Sequence, residues 1–159
     1  MSTWSIIAIV VISFVAMEGV AWATHKYVMH GFLWDLHADH HKKDHYGFFE
    51  RNDTFFLIFA MPSMALFAVG SYLGLHTPWL WIGLGILLSG IACFLVHEVF
   101  IHQRIKWLRN TRSAYFLGIR KAHKMHHKHL GKQDGECFGM LWAPMKYFRE
   151  ARRTLTDQR

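Results

Sequence analysis

Three long apolar runs organise the chain, Trp4 to Ala23, Phe55 to Leu75 and Pro78 to Ile101, with polar, histidine-rich segments after the first and the third. None of the runs contains a lysine or arginine. Each is close to the roughly 20 residues that an α-helix, rising about 1.5 Å per residue, needs to cross about 30 Å of hydrocarbon. The pattern predicts three transmembrane helices. A buried pair of soluble helices is the competing reading of the second and third runs, but their combined length without a cation favours the bilayer. Thr77 and Pro78 interrupt the apolar pattern and predict a tight hairpin. Ala21, Trp22 and Ala23 would suit a signal-peptide cleavage site, yet Met1 to Trp4 lacks the positive charge with which such leaders begin.

A fourth apolar patch, Cys137 to Phe148, is too short to cross and is expected at the interface or packed beneath the polar segments; a fourth span is its alternative reading. The expected fold is all-α: an integral membrane helical bundle with three, at most four, transmembrane helices. No Gly-, Pro- or Ser-rich linker divides it, so residues 1–159 read as one domain.

All 18 lysines and arginines lie between Lys26 and Arg51 or between Arg104 and Arg159. By the positive-inside rule, the N-terminus then lies outside, and the 26–54 loop and the tail lie on the cytoplasmic side of the membrane. The net charge of +7 could suggest nucleic acid, but cations flanking spans usually meet anionic headgroups. Two cysteines, Cys93 within a span and Cys137 on the inner side, offer no disulfide framework.

Composition changes this picture at one residue type, because 13 histidines stand in 159 residues. Ten fall into four clusters: His25-x4-His30, His37-x2-His40-His41, His97-x4-His102 and His123-x2-His126-His127. The pair-then-triplet module occurs twice, as a loose repeat. On a helix the triplet spacing i, i+3, i+4 directs three rings to one face. The x4 pairs fit an ideal helix poorly, and are expected either at fraying ends of the first and third spans or reaching toward different ions. Imidazoles crowded and buried without partners would be costly, and metal ions supply the partners. Ten ligands exceed the capacity of one ion, so a cytoplasmic two-metal site is expected, with His25, His30, His37, His40, His41, His97, His102, His123, His126 and His127 as ligands. Iron performing oxygen chemistry suits an all-nitrogen pair of sites better than zinc, which has no redox chemistry. His76 reads as an ordinary surface histidine, and His45 and His129 as secondary ligand candidates. Glu18 and Glu98, acids within apolar runs, are expected to accept hydrogen bonds from ligating imidazoles. Asp39 could act likewise, though a solvated loop acid is the simpler reading.

The order of these clusters resembles the fatty acid hydroxylase and sterol desaturase superfamily of membrane di-iron enzymes. The strings HKYVMHG (25–31), HADHH (37–41), ERND (50–53), HKMHHKH (123–129) and FGMLWAP (138–144) are similar to those of its compact bacterial carotenoid-hydroxylating branch, over nearly the whole chain. That resemblance implies two non-haem iron ions and O2 as co-substrate. It also implies hydroxylation at carbon 3 of a beta-ionone ring drawn from the bilayer, with reduced ferredoxin as electron donor. The alternatives are a carotenoid 4-ketolase or a sterol or fatty acyl hydroxylase of the same superfamily and, outside enzymes, a membrane metal carrier. Trp22, Tyr27, Phe94 and Phe100 lie near the ligand ends of the spans, but ordinary packing or lipid-facing roles are commoner for such aromatics.

Overall fold

The structure, a computed structural model, describes residues 1–42 and 47–157; His45 lies outside them. Helix α1, Thr3–Ala23, continues into a π-helical segment, Thr24–Phe32, which is kinked at Gly31, where φ −103 and ψ −123 are not helical. After α2, Trp34–His41, a 3₁₀ turn at Arg51–Asp53 leads into α3, Thr54–Leu73. Helix α4, Trp79–Phe94, also continues as a π-helical segment, Leu95–Ile101. Helices α5, Ala114–His126, and α6, Met145–Asp157, complete the chain. No strand occurs among the described residues.

Three helical stretches, Thr3–Phe32, Arg51–Leu73 and Trp79–Ile101, are long and apolar enough to cross a membrane, as the hydrophobic pattern predicts. The fourth span is not realised. Its segment is irregular up to Pro144 and then enters the polar helix α6. Helix α1 buries none of its side chains within the bundle, and Trp4 and Tyr72 stand 81% and 90% exposed, which suits surfaces solvated by lipid rather than water.

Lipid tails are as apolar as leucine, so the spans associate by close packing at small residues. A Cβ added at Gly85 of α4 would lie 2.6 Å from the Ser13 Cβ and 2.7 Å from the Val10 carbonyl of α1. One at Gly70 of α3 would lie 2.5 Å from the Leu80 nitrogen of α4. Ser63 Oγ donates across the same α3–α4 contact to the Gly83 carbonyl at 2.8 Å. Gly74, at φ +92, makes the turn between these helices possible. The polar helices pack similarly, with Gly118 of α5 admitting Phe148 of α6 beside a small core of Ala122, Ala143 and Tyr147. The histidine-bearing ends of α1 and α4 are therefore brought together with α2 and α5.

Candidate metal centre

The x4 histidine pairs lie on the two π-helical segments, with His102 as the residue that caps the second. A π turn closes i→i+5 hydrogen bonds, as in Leu33 N–H to the Val28 carbonyl at 3.0 Å and His102 N–H to the His97 carbonyl at 2.9 Å. Residue i+5 is thereby brought above residue i. The expectation of frayed ends or divergent ligands is corrected: one added residue per turn aligns His25 with His30 and His97 with His102. The segment after α4 is held by Gln103, whose Nε2 donates to the Val99 and Phe100 carbonyls at 3.1 and 2.7 Å. Phe100, one of the aromatics near the ligand ends, is buried with the Arg120 guanidinium 3.9 Å above its ring.

Nine of the ten expected ligands converge into two buried groups whose ligand atoms lie within 4.8 Å of one another. The first group holds His25, His30, His37, His41 and His126, and the second holds His40, His97, His102 and His123. The single face expected of each triplet divides between them: His37 and His41 join one group and His40 the other, while His126 and His123 separate likewise. Adjacent positions on a helix point about 100° apart, so a triplet between two centres can serve both. His127 is the tenth. Its ring lies 4.4 Å from that of His41 and 4.5 Å from that of His123, and its buried Nε2 has no hydrogen-bond partner among the described residues.

Hydrogen bonds behind the rings decide which nitrogen is free. His25 Nδ1 faces the Phe138 carbonyl at 2.9 Å, His30 that of Lys132 at 3.1 Å, His41 that of His129 at 3.0 Å and His126 that of Glu136 at 2.8 Å. His37 Nδ1 meets Asn52 Oδ1 at 2.7 Å, His40 meets Glu50 Oε2 at 2.8 Å and His97 meets Glu98 Oε1 at 2.6 Å. These oxygens accept, so Nδ1 carries the hydrogen in each ring and Nε2 carries the lone pair. The Nε2 atoms then meet with no hydrogen between them, at 3.1 Å for His25 and His37, 3.2 Å for His30 and His126, 3.2 Å for His41 and His37, and 3.3 Å for His40 and His97. Lone pairs facing at that distance repel, and a cation among them turns the repulsion into coordination. The donor set therefore fits metal ions.

Burial, reinforced by neighbouring imidazoles, also disfavours the charged form of several rings beyond the ends of the spans. It holds His41 down to about 4, His126 to about 3 and His37 to about 2. His127 falls to about 2, and His102 and His123 are lowered as well. Neutral imidazole is the form that binds metal.

The acids divide. Glu98 holds His97 as expected, but Glu18 touches no imidazole: its carboxylate accepts the backbone N–H groups of Met140, Leu141 and Trp142 at 2.9–3.0 Å. Asp39 is buried rather than solvated and accepts the Arg51 N–H at 2.6 Å. His129 contributes its carbonyl and its ring joins neither group, while His76 sits exposed at the hairpin away from both. Four contributions escaped the sequence reading: Asn52, Glu50, Arg104 and the carbonyls between His129 and Phe138. The ERND string pointed to the first two without assigning roles. Backbone carbonyls leave no mark in side-chain identity.

A bundle of membrane-spanning helices that gathers two buried imidazole clusters at one end defines a membrane metalloprotein. The chain belongs to the fatty acid hydroxylase family, whose pattern matches residues 10–147. It is 41% identical over 135 residues to a beta-carotene hydroxylase of Pseudescherichia vulneris, covering 85% of this chain and 75% of that protein. A beta-carotene hydroxylase of Pantoea ananas is 39% identical, covering 86% of this chain and 76% of its own length. One from a Paracoccus species is 36% identical, covering 86% and 83%. No solved structure matches the chain.

Proposed function

We propose that the protein is a beta-carotene 3-hydroxylase, which inserts an oxygen atom from O2 at carbon 3 of a beta-ionone ring to give zeaxanthin by way of cryptoxanthin. The observation that carries this reading is 41% identity, over 85% of the chain, to a relative named beta-carotene hydroxylase. The ten clustered histidines are the ligands: His25, His30, His37, His41 and His126 for one ion, and His40, His97, His102, His123 and His127 for the other. The loose repeat supports placing His127, because each pair would then share an ion with the first and third residues of its own triplet. The middle residue of each triplet would cross to the other ion. Two iron ions at this site would supply O2 activation for oxygen insertion into a C–H bond. The chain's own part is to hold ten imidazoles in place, seven of them in fixed tautomers, keep the site buried, and present the ring in one orientation.

A carotenoid dissolves in the bilayer core, and a ring presented at the ligand-bearing ends of the spans meets the clusters there. The site lies on the cytoplasmic side of a bacterial inner membrane, with the N-terminus outside. Lys124, Lys128, Lys132, Arg149, Arg152 and Arg153 form part of an exposed basic surface that would guide an acidic ferredoxin-type donor.

The test is expression in a bacterium already making beta-carotene, with pigments identified by chromatography and mass. One and then two ring hydroxyls, absent with His40→Ala, are expected. Oxygen added as a ring ketone would assign a 4-ketolase. Unchanged beta-carotene from well-expressed, iron-loaded protein would transfer the reading to a sterol or acyl substrate, and metal exchange without O2 consumption would indicate a carrier.

A further inference from the structure

The two clusters differ in what stands behind their imidazoles, a difference that bears on function only if each holds an ion as read above. In the first, all five Nδ1 groups donate to neutral oxygens: the carbonyls of Phe138, Lys132, His129 and Glu136, and the amide of Asn52. In the second, His40 and His97 donate to carboxylates, Glu50 at 2.8 Å and Glu98 at 2.6 Å. Both acids meet one guanidinium. Arg104 places Nε 2.8 Å from Glu98 Oε2, Nη2 3.0 Å from Glu50 Oε2 and Nη1 2.8 Å from Asp53 Oδ1. Glu98 is fully buried and the Arg104 side chain only 12% exposed, so solvent screens this group little. Three carboxylates against one guanidinium leave it net negative.

A carboxylate behind an imidazole makes the ring a stronger donor, and a charge-assisted hydrogen bond is roughly twice as strong as a neutral one. We propose that Arg104 is a positioning residue that makes the two ions unequal: it holds the Glu50 and Glu98 carboxylates in place behind His40 and His97. The ion of the second cluster is therefore the more tightly held and the more electron-rich. Without Arg104, the two carboxylates lose the group that aims them at His40 and His97.

The test uses the whole iron-loaded protein in detergent, titrated with a chelator while iron per chain is counted and Mössbauer spectra are recorded. Wild type is compared with Glu98→Gln, Arg104→Gln and the double variant. The glutamine at position 98 keeps an oxygen for His97 and removes only charge. Wild type is expected to release iron in two steps. Glu98→Gln should bring the later step about 10- to 100-fold earlier, the usual cost of altering an outer hydrogen-bond partner, and move one of two iron signals. Arg104→Gln should do as much, with little added in the double variant because both act through the same carboxylate. Asn52→Asp, which places a carboxylate behind His37, should strengthen the other ion and move its signal alone; it decides the matter if the Arg104 variant does not fold. Signals that move together, or two steps weakened by one factor, overturn the inference while leaving the two-ion reading intact. Fewer than two irons in wild type overturns both.

Discussion

An acid inside an apolar helix must find donors, and Glu18 finds three consecutive backbone N–H groups in the loop at Met140, Leu141 and Trp142. The bond ties α1 to the segment whose Phe138 carbonyl orients His25. Glu18→Gln is therefore expected to weaken the site from a distance: charge-assisted bonds contribute about 1.5–3 kcal/mol each, and a substantial part of one should be lost. Thermal unfolding should start earlier, with His25 the ligand most disturbed. An unchanged melting curve and full metal content would contradict this role. The need for a partner at Glu18 was legible in sequence. Its identity was not, because the donors stand more than 120 residues away and are backbone groups.

At the scale of elements, the π-helical continuations of α1 and α4 convert an awkward spacing into a usable one, and the helix contacts behind them set the distance between clusters. Gly85 lies at the closest approach of α4 to α1. Gly85→Leu would drive a side chain into Ser13 and the Val10 backbone, and overpacking of this kind typically costs about 1–3 kcal/mol. Because His25 and His97 stand beyond the ends of these two helices, the same wedge should lower metal content. Gly90→Ala on the same helix meets nothing within 4 Å and should leave both stability and metal content near wild type. Stability and metal assays of the two variants side by side check this. Span number and approximate span limits could be read from hydropathy alone. Which glycines face a neighbouring helix could not, since those at 83, 85 and 90 look alike in sequence.

For the whole molecule, the neutral imidazoles couple folding to pH. An unfolded histidine titrates near about 6.5, whereas burial holds His41 to about 4, His126 to about 3 and His37 and His127 to about 2. Above that unfolded value neither state binds these protons, and the groups add no pH dependence. Below it the unfolded chain takes up protons that the folded chain refuses, so stability falls as pH drops from about 6.5 toward 4. Metal-stripped protein in detergent should melt progressively lower across that window. Metal-loaded protein should melt higher than stripped protein at every pH within it, and a flat profile for the stripped protein would contradict the buried neutral state. The net charge of +7 adds a second expectation, that turnover with an acidic electron donor weakens as salt rises.

By itself the sequence determined the number of spans, the all-helical class, the ten clustered histidines and the family resemblance. These rest on composition and local spacing, which a helix reads out directly. The tertiary structure decided the division of the histidines into two groups and the π turns that align the pairs. It also decided the carbonyls between His129 and Phe138 that set the tautomers, and the grip of Arg104 on three acids. Those depend on side chains meeting across distances of up to more than 100 residues, and on backbone groups that are the same whatever the residue.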